Sequence, residues 1–164
     1  MRYIFLLSLL YTLPACAPLP PGGGQSPAEP LVFGYRAGFG VETFYRVADG
    51  RLYASPYNGV PTNDPANRYY ADSLATREAG WSLISDPELT ARARQLAEDF
   101  PAGAFSELPR QACDALAYDG GCPYVGQYHR EEGTYHDWHG NYAEQPTAGA
   151  FMQRVDSLVK ALGE

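Results

Sequence analysis

The sequence predicts an α+β domain, and three observations carry that expectation. Val41, Thr43, Tyr45 and Val47 alternate with Glu42, Phe44 and Arg46 ahead of Asp49-Gly50, a period-2 run closed by a strong hairpin signal. Two later segments keep apolar residues at helical spacing. A second hairpin-like stretch, Tyr124 to Trp138, lies between them. Hairpin, helix, hairpin, helix is not the alternation that builds a parallel sheet. By layer rules it predicts one antiparallel sheet of two β-hairpins with two helices on one face, in the order ββαββα.

The chain opens with Arg2 and an apolar run from Tyr3 to Leu13. This is too short for a membrane-spanning helix, which needs roughly twenty apolar residues, but it suits a signal segment. The run ends Leu13-Pro14-Ala15-Cys16. It resembles a bacterial lipoprotein signal, with a small residue before the cut and a cysteine to receive lipid. That resemblance implies a signal peptide over 1–15, a lipidated Cys16 as the mature N-terminus and a membrane anchor. Ala17 rather than Asp implies the outer membrane, facing the periplasm. A single acyl chain holds a protein only marginally, so stable anchoring needs the several chains the resemblance implies.

Residues 16–30 read as the lipidated cysteine and its tether. Positions 17–30 hold five prolines and three consecutive glycines. Proline stretches are semi-extended and glycine stretches flexible, giving a root-mean-square reach on the order of 20 Å. Residues 31–164 remain, a length that suits one α+β globular domain.

Leu31-Val-Phe-Gly-Tyr35 reads as a first strand, and Gly38-Phe-Gly40 as a turn or bulge. Arg51-Leu-Tyr-Ala54 returns from the Asp49-Gly50 turn. Residues 55–80 carry Pro56, Asn58-Gly59, Pro61 and Asp64-Pro65 and read as a long loop. Ser85-Asp-Pro-Glu88 reads as a capping box, Ser85 accepting from first-turn amides and Glu88 reaching back. Leu89, Ala93, Leu96, Ala97 and Phe100 then form a helical stripe that Pro101 stops. A closing helix begins near Thr147, with Phe151, Val155, Leu158, Val159 and Leu162 as its stripe and Gly163 at its end.

The first-strand turn, the Asp-Gly hairpin, the helix ending near Phe105-Ser-Glu-Leu108, the second hairpin and the closing helix are similar to small bacterial lipoprotein domains of unknown function. They are more distantly similar to emfourin-type protein inhibitors of metalloproteases. The likeness covers roughly 31–162 and rests on pattern and order. The long 55–80 loop and the Cys113–Cys122 segment depart from it, and no inhibitor contact residue carries over.

With Cys16 lipidated, Cys113 and Cys122 remain as a pair. Asp119-Gly120-Gly121 between them can reverse the chain, so a structural disulfide is expected in an oxidising compartment. Chemistry-bearing residues concentrate at His129, His136, Asp137 and His139. A two-residue turn at Glu132-Gly133 sets His129 opposite His136; a three-residue turn sets Tyr128 there instead. Asp137 and His139 share the other face. These histidines are the only weak metal candidates, and a closed zinc site needs four ligands.

The net charge of −7, with Lys and Arg scattered, predicts no nucleic-acid partner. No nucleophile elbow, phosphate loop or dinucleotide fingerprint is present, so neither enzyme activity nor a cofactor is expected. The expected function is that of a lipid-anchored cell-envelope protein whose periplasmic domain is a non-catalytic interaction or structural module. The alternatives are an emfourin-like peptidase inhibitor and a metal-dependent enzyme at the His129/His136 hairpin. An envelope protein or protease is the partner either binding reading implies. The candidate contact surface is aromatic: Tyr57, Tyr69 and Tyr70 in the loop, with Tyr128, Tyr135 and Trp138 on the second hairpin. For Trp138, packing on the sheet is the competing role.

Overall fold

A computed structural model describes residues 29–37, 42–56, 58, 80–113, 121–129 and 132–164. Cys16, most of the tether, the Gly38-Phe-Gly40 turn, Tyr57, Tyr69 and Tyr70 lie outside the described residues. So does the greater part of the 55–80 loop.

The chain is α+β. Its strands are β1 (Leu31–Ala37), β2 (Thr43–Ala48), β3 (Arg51–Ala54), β4 (Ser82–Leu83), β5 (Gln111–Ala112), β6 (Gly121–His129) and β7 (Thr134–Gly140). Its helices are α1 (Pro87–Glu98), α2 (Ala102–Phe105) and α3 (Pro146–Leu162). The strands form one sheet in the order β4-β3-β2-β1-β6-β7-β5, antiparallel throughout except for the parallel β5–β7 pair. The element order is therefore longer than ββαββα. β1, β4, α2 and β5 are added, and β1 stands in the middle of the sheet, separating β2–β3 from β6–β7.

Local chemistry accounts for these elements. Asp49 and Gly50 take positive φ, 50° and 69°, and Ala48 faces Arg51 across the turn. That backbone matches the twist of the flanking strands. α1 is capped by Asp86, whose carboxylate accepts from the Leu89 amide at 2.8 Å. This corrects the Ser85–Glu88 box: Pro87 has no N–H and fits the first helical position, so the residue before it becomes the cap. α3 likewise has Pro146 at its first position, without a side-chain cap from Gln145, and Gly163 caps its end.

All three helices pack on one face of the sheet. α1 lies over β3 and β2, α3 over β1 and β6, and α3 also contacts α1 and α2. Between the layers sits the main core. Leu31, Phe33, Tyr45, Val47, Leu52 and Val125 come from the sheet; Ala93, Leu96, Phe151, Met152, Val155 and Leu158 come from the helices. Phe105 is fully buried at the centre of an aromatic knot, with ring centroids 5.4 Å from Phe100, 5.3 Å from Trp138 and 5.8 Å from Phe151. Burial of each such ring contributes roughly 1.5–3 kcal/mol.

The opposite face has a second, smaller core of Val32, Phe44 and Tyr124, with Trp81, Tyr128 and Tyr135 packed against it. Two glycines make it possible. Gly34 stands between Phe44 on β2 and Tyr124 on β6, whose rings meet edge-to-face at 5.2 Å. Gly126 lies under Tyr135. A Cβ there would meet the Tyr135 hydroxyl and ring carbon, so only hydrogen at that position lets the ring cross β6.

Among the described residues no helix is long and apolar enough to cross a membrane. Cys113 and Cys122 lie at disulfide-bonding distance, with Cα atoms 6.2 Å apart. β7 lies between β5 and β6 in the sheet, so this bridge ties the two-residue edge strand across its neighbour.

Candidate functional site

The β6–β7 register pairs Gln127 with His136, Tyr128 with Tyr135 and His129 with Thr134. Four residues, 130–133, therefore separate the strands, and neither expected turn length holds. Both expected oppositions at His136 fall with them. The imidazoles meet nonetheless: His129 and His136 are diagonal neighbours on the helix-side face, edge-to-face with centroids 5.3 Å apart.

His129 is already engaged, its Nδ1 lying 2.9 Å from Glu29 Oε2 at the entry to β1. His136 leans toward Trp138, centroids 6.3 Å apart. Asp137 and His139 share the other face, so His139 is separated from the other two histidines by the thickness of the sheet. Among the described residues no group of three His, Cys, Asp or Glu could hold a metal ion. Trp138 is 7% exposed and belongs to the main core, where its ring also lies 6.0 Å from Phe100. Packing is its role.

Tyr128 and Tyr135 stand directly opposite each other on the helix-free face. Both are partly buried. The Tyr135 hydroxyl shares a hydrogen bond of 2.6 Å with that of Tyr124. Tyr124 is completely enclosed, and burial, followed by Tyr135 and Asp137, pushes its hydroxyl well above the usual tyrosine range. It stays protonated and serves as a fixed polar pin within the smaller core.

Beside this pair runs a charged line that joins Asp137 and His139 to Arg36 and Glu42, two residues the motifs did not single out. The Arg36 guanidinium lies 3.7 Å from Glu42 and 3.9 Å from Asp137. His139, opposite Tyr124, is 7% exposed. Burial lowers its pKa, Arg36 lowers it further, and Asp137 only partly offsets them. The ring is therefore neutral at neutral pH. Among the described residues its Nδ1 has no hydrogen-bond partner.

Toward β4 the same face becomes aromatic and cationic. The Arg46 guanidinium lies over the rings of Tyr53, at 5.4 Å, and Trp81, at 4.8 Å. Each such contact contributes about 0.5–1 kcal/mol when exposed, and more when dry. Alternation put Arg46 on the same face as Phe44. Trp81 carried no signal, because the strand it precedes is only two residues long. Asn58 fastens the start of the loop here: its side chain accepts from the Phe44 amide at 2.7 Å and donates to the Phe44 carbonyl at 3.0 Å.

The helix-free face thus presents rings, a stacked arginine, the buried carboxylate of Glu42 and the half-buried one of Asp137. That chemistry suits holding a surface by stacking and hydrogen bonding. No known protein family, curated protein or solved structure matches the chain.

Proposed function

We propose that the chain is a lipid-anchored cell-envelope protein, held to the outer membrane through Cys16, whose folded part is a non-catalytic binding module. The observation that carries the binding half is the helix-free face. Arg46, Tyr53 and Trp81 form a stacked unit there, and Tyr128 and Tyr135 extend the aromatic surface along β6 and β7. Stiff rings with few rotatable bonds give large contact area at low entropic cost, and Trp, Tyr and Arg are enriched among interface hot spots. The anchoring half is supported by Leu13-Pro14-Ala15-Cys16 and the Pro/Gly-rich segment behind it, which lifts the domain clear of the lipid head groups.

The test has two arms. Full-length protein and Cys16→Ser are fractionated and their N-termini measured by mass spectrometry; anchoring predicts an acylated Cys16 and loss of the variant from the membrane fraction. Unmodified Cys16 in membrane-derived protein refutes it. Partners are then captured by crosslinking from solubilised envelope, with Trp81→Ala and Tyr128→Ala run in parallel. Capture that both substitutions abolish, with folding intact, supports the module. Inhibition of an envelope metalloprotease at one-to-one stoichiometry identifies the inhibitor alternative. Stoichiometric zinc and an activity that both vanish in His129→Ala/His136→Ala overturn the non-catalytic reading.

A further inference from the structure

Outside the helix layer, α1 and α3 leave an open groove of about 420 Å3. This is within the size range of small-ligand sites. Ala150, small and exposed, lies in the gap between the helices, and the core residues Leu96 and Leu158 close it from beneath. Its rim is polar and carries two arginines in a chain of net charge −7.

The two arginines are in different states. Arg154 donates to Asp99 Oδ2 at 2.8 Å, while Gln95 Nε2 donates to Asp99 Oδ1 at 2.9 Å. One carboxylate at the end of α1 thus fixes a guanidinium from α3 and an amide from α1 in a single wall. Those hydrogen bonds hold the Asp99 carboxyl below the usual carboxylate range, so the wall persists at neutral pH. Gln95 keeps its carbonyl oxygen available as an acceptor. Ser157, on the same rim, donates to the Gln153 carbonyl at 2.9 Å and keeps its lone pairs. Arg92 is different: it makes no ion pair among the described residues. Among the described residues it is the groove's unspent cation.

The geometry points to a binding site for a small carboxylate with a hydroxylated body, the chemistry of a sugar acid. The carboxylate pairs with Arg92, where a planar fork of donors matches two oxygens. Hydroxyls on the ligand donate to Gln95 and Ser157, and its carbon skeleton lies over Ala150. This site is on the layer opposite the aromatic face and does not depend on the binding role proposed for that face.

Purified full-length protein titrated with galacturonate, followed by amide chemical shifts and calorimetry, tests the assignment. Galactose, the same ring without the carboxylate, is the matched neutral probe. Saturable shifts are expected at Arg92, Gln95 and Ser157, with galactose at least about tenfold weaker. Arg92→Gln is expected to weaken galacturonate roughly tenfold at an unchanged melting temperature, since the side chain is exposed. Equal affinity for the two sugars, full binding by Arg92→Gln, or no saturable shift by about 20 mM each overturns the assignment.

Discussion

Gly126→Ala probes the smaller core at its tightest point. The added methyl would fall on the Tyr135 hydroxyl and ring carbon, and 2.9 Å from the Tyr124 hydroxyl. Tyr135 must leave its place over β6, and the Tyr124–Tyr135 hydrogen bond goes with it. Overpacking of this kind costs about 1–3 kcal/mol. Stranding the fully buried Tyr124 hydroxyl costs about another 1–3 kcal/mol. Replacing a strand glycine by alanine returns about 0.5–1 kcal/mol of backbone entropy, leaving a net loss of about 1–5 kcal/mol. Urea unfolding of wild type, Gly126→Ala, Tyr135→Ala and the double variant completes a thermodynamic cycle. In the Tyr135→Ala background the obstructing ring and the shared hydrogen bond are already gone, so Gly126→Ala should cost less than about 1 kcal/mol there. An equal loss in both backgrounds refutes the argument, because the glycine would then be required for backbone reasons alone.

Two further outcomes follow from the sheet. Converting Cys113 and Cys122 together to Ala should cost roughly 2.5–3 kcal/mol in urea unfolding by loop-closure entropy, and peptide mapping without reductant should find the two joined; free thiols in protein isolated from an oxidising compartment refute the bridge. Stability should also fall on acidification below pH 6.5, because the folded pKa of His139 is lowered and the unfolded chain binds the proton first. His139→Gln should remove one proton's share of that slope, at most about 1.4 kcal/mol per pH unit; an unchanged slope in the variant refutes the assignment.

What was legible in the sequence was whatever local chemistry decides. Asp49-Gly50 closes its turn, the stripes of α1 and α3 face the sheet, and Cys113 comes within reach of Cys122. The β6–β7 register was not legible, because Glu131-Glu132-Gly133 fits turns of several lengths. Each choice of length moves a different residue opposite His136. Ser85 and Asp86 can both cap a helix, and only the fit of Pro87 at the first helical position separates them. β4 and β5 are two residues each, shorter than any alternation can register.

The aromatic face was hidden for a different reason. The rings over Gly34 and Gly126 come from neighbouring strands, so naming the cover of either glycine needs a pairing register that alternation does not supply. Trp138 was ambiguous by the same logic, since alternation gives its face but not what lies over that face. The decision came from Phe100 and Phe105, which belong to the α1–α2 region.

The central place of β1 has a consequence for the order in which the molecule assembles. Residues 31–37 are the first of the described strands to emerge during synthesis, yet one of their two neighbours is β6, and the Tyr35–Gly121 hydrogen bond joins positions 86 residues apart. β1, β2 and β3 can meet early through short connections. The other half of the sheet must wait until nearly the whole domain exists and a long loop has closed, at an entropic cost that precedes any reward from pairing. Folding of this chain should therefore fall in the millisecond-to-second range typical of non-local β topologies. Until β6 arrives, the free edge of β1 and the rings around Gly34 stand open to solvent.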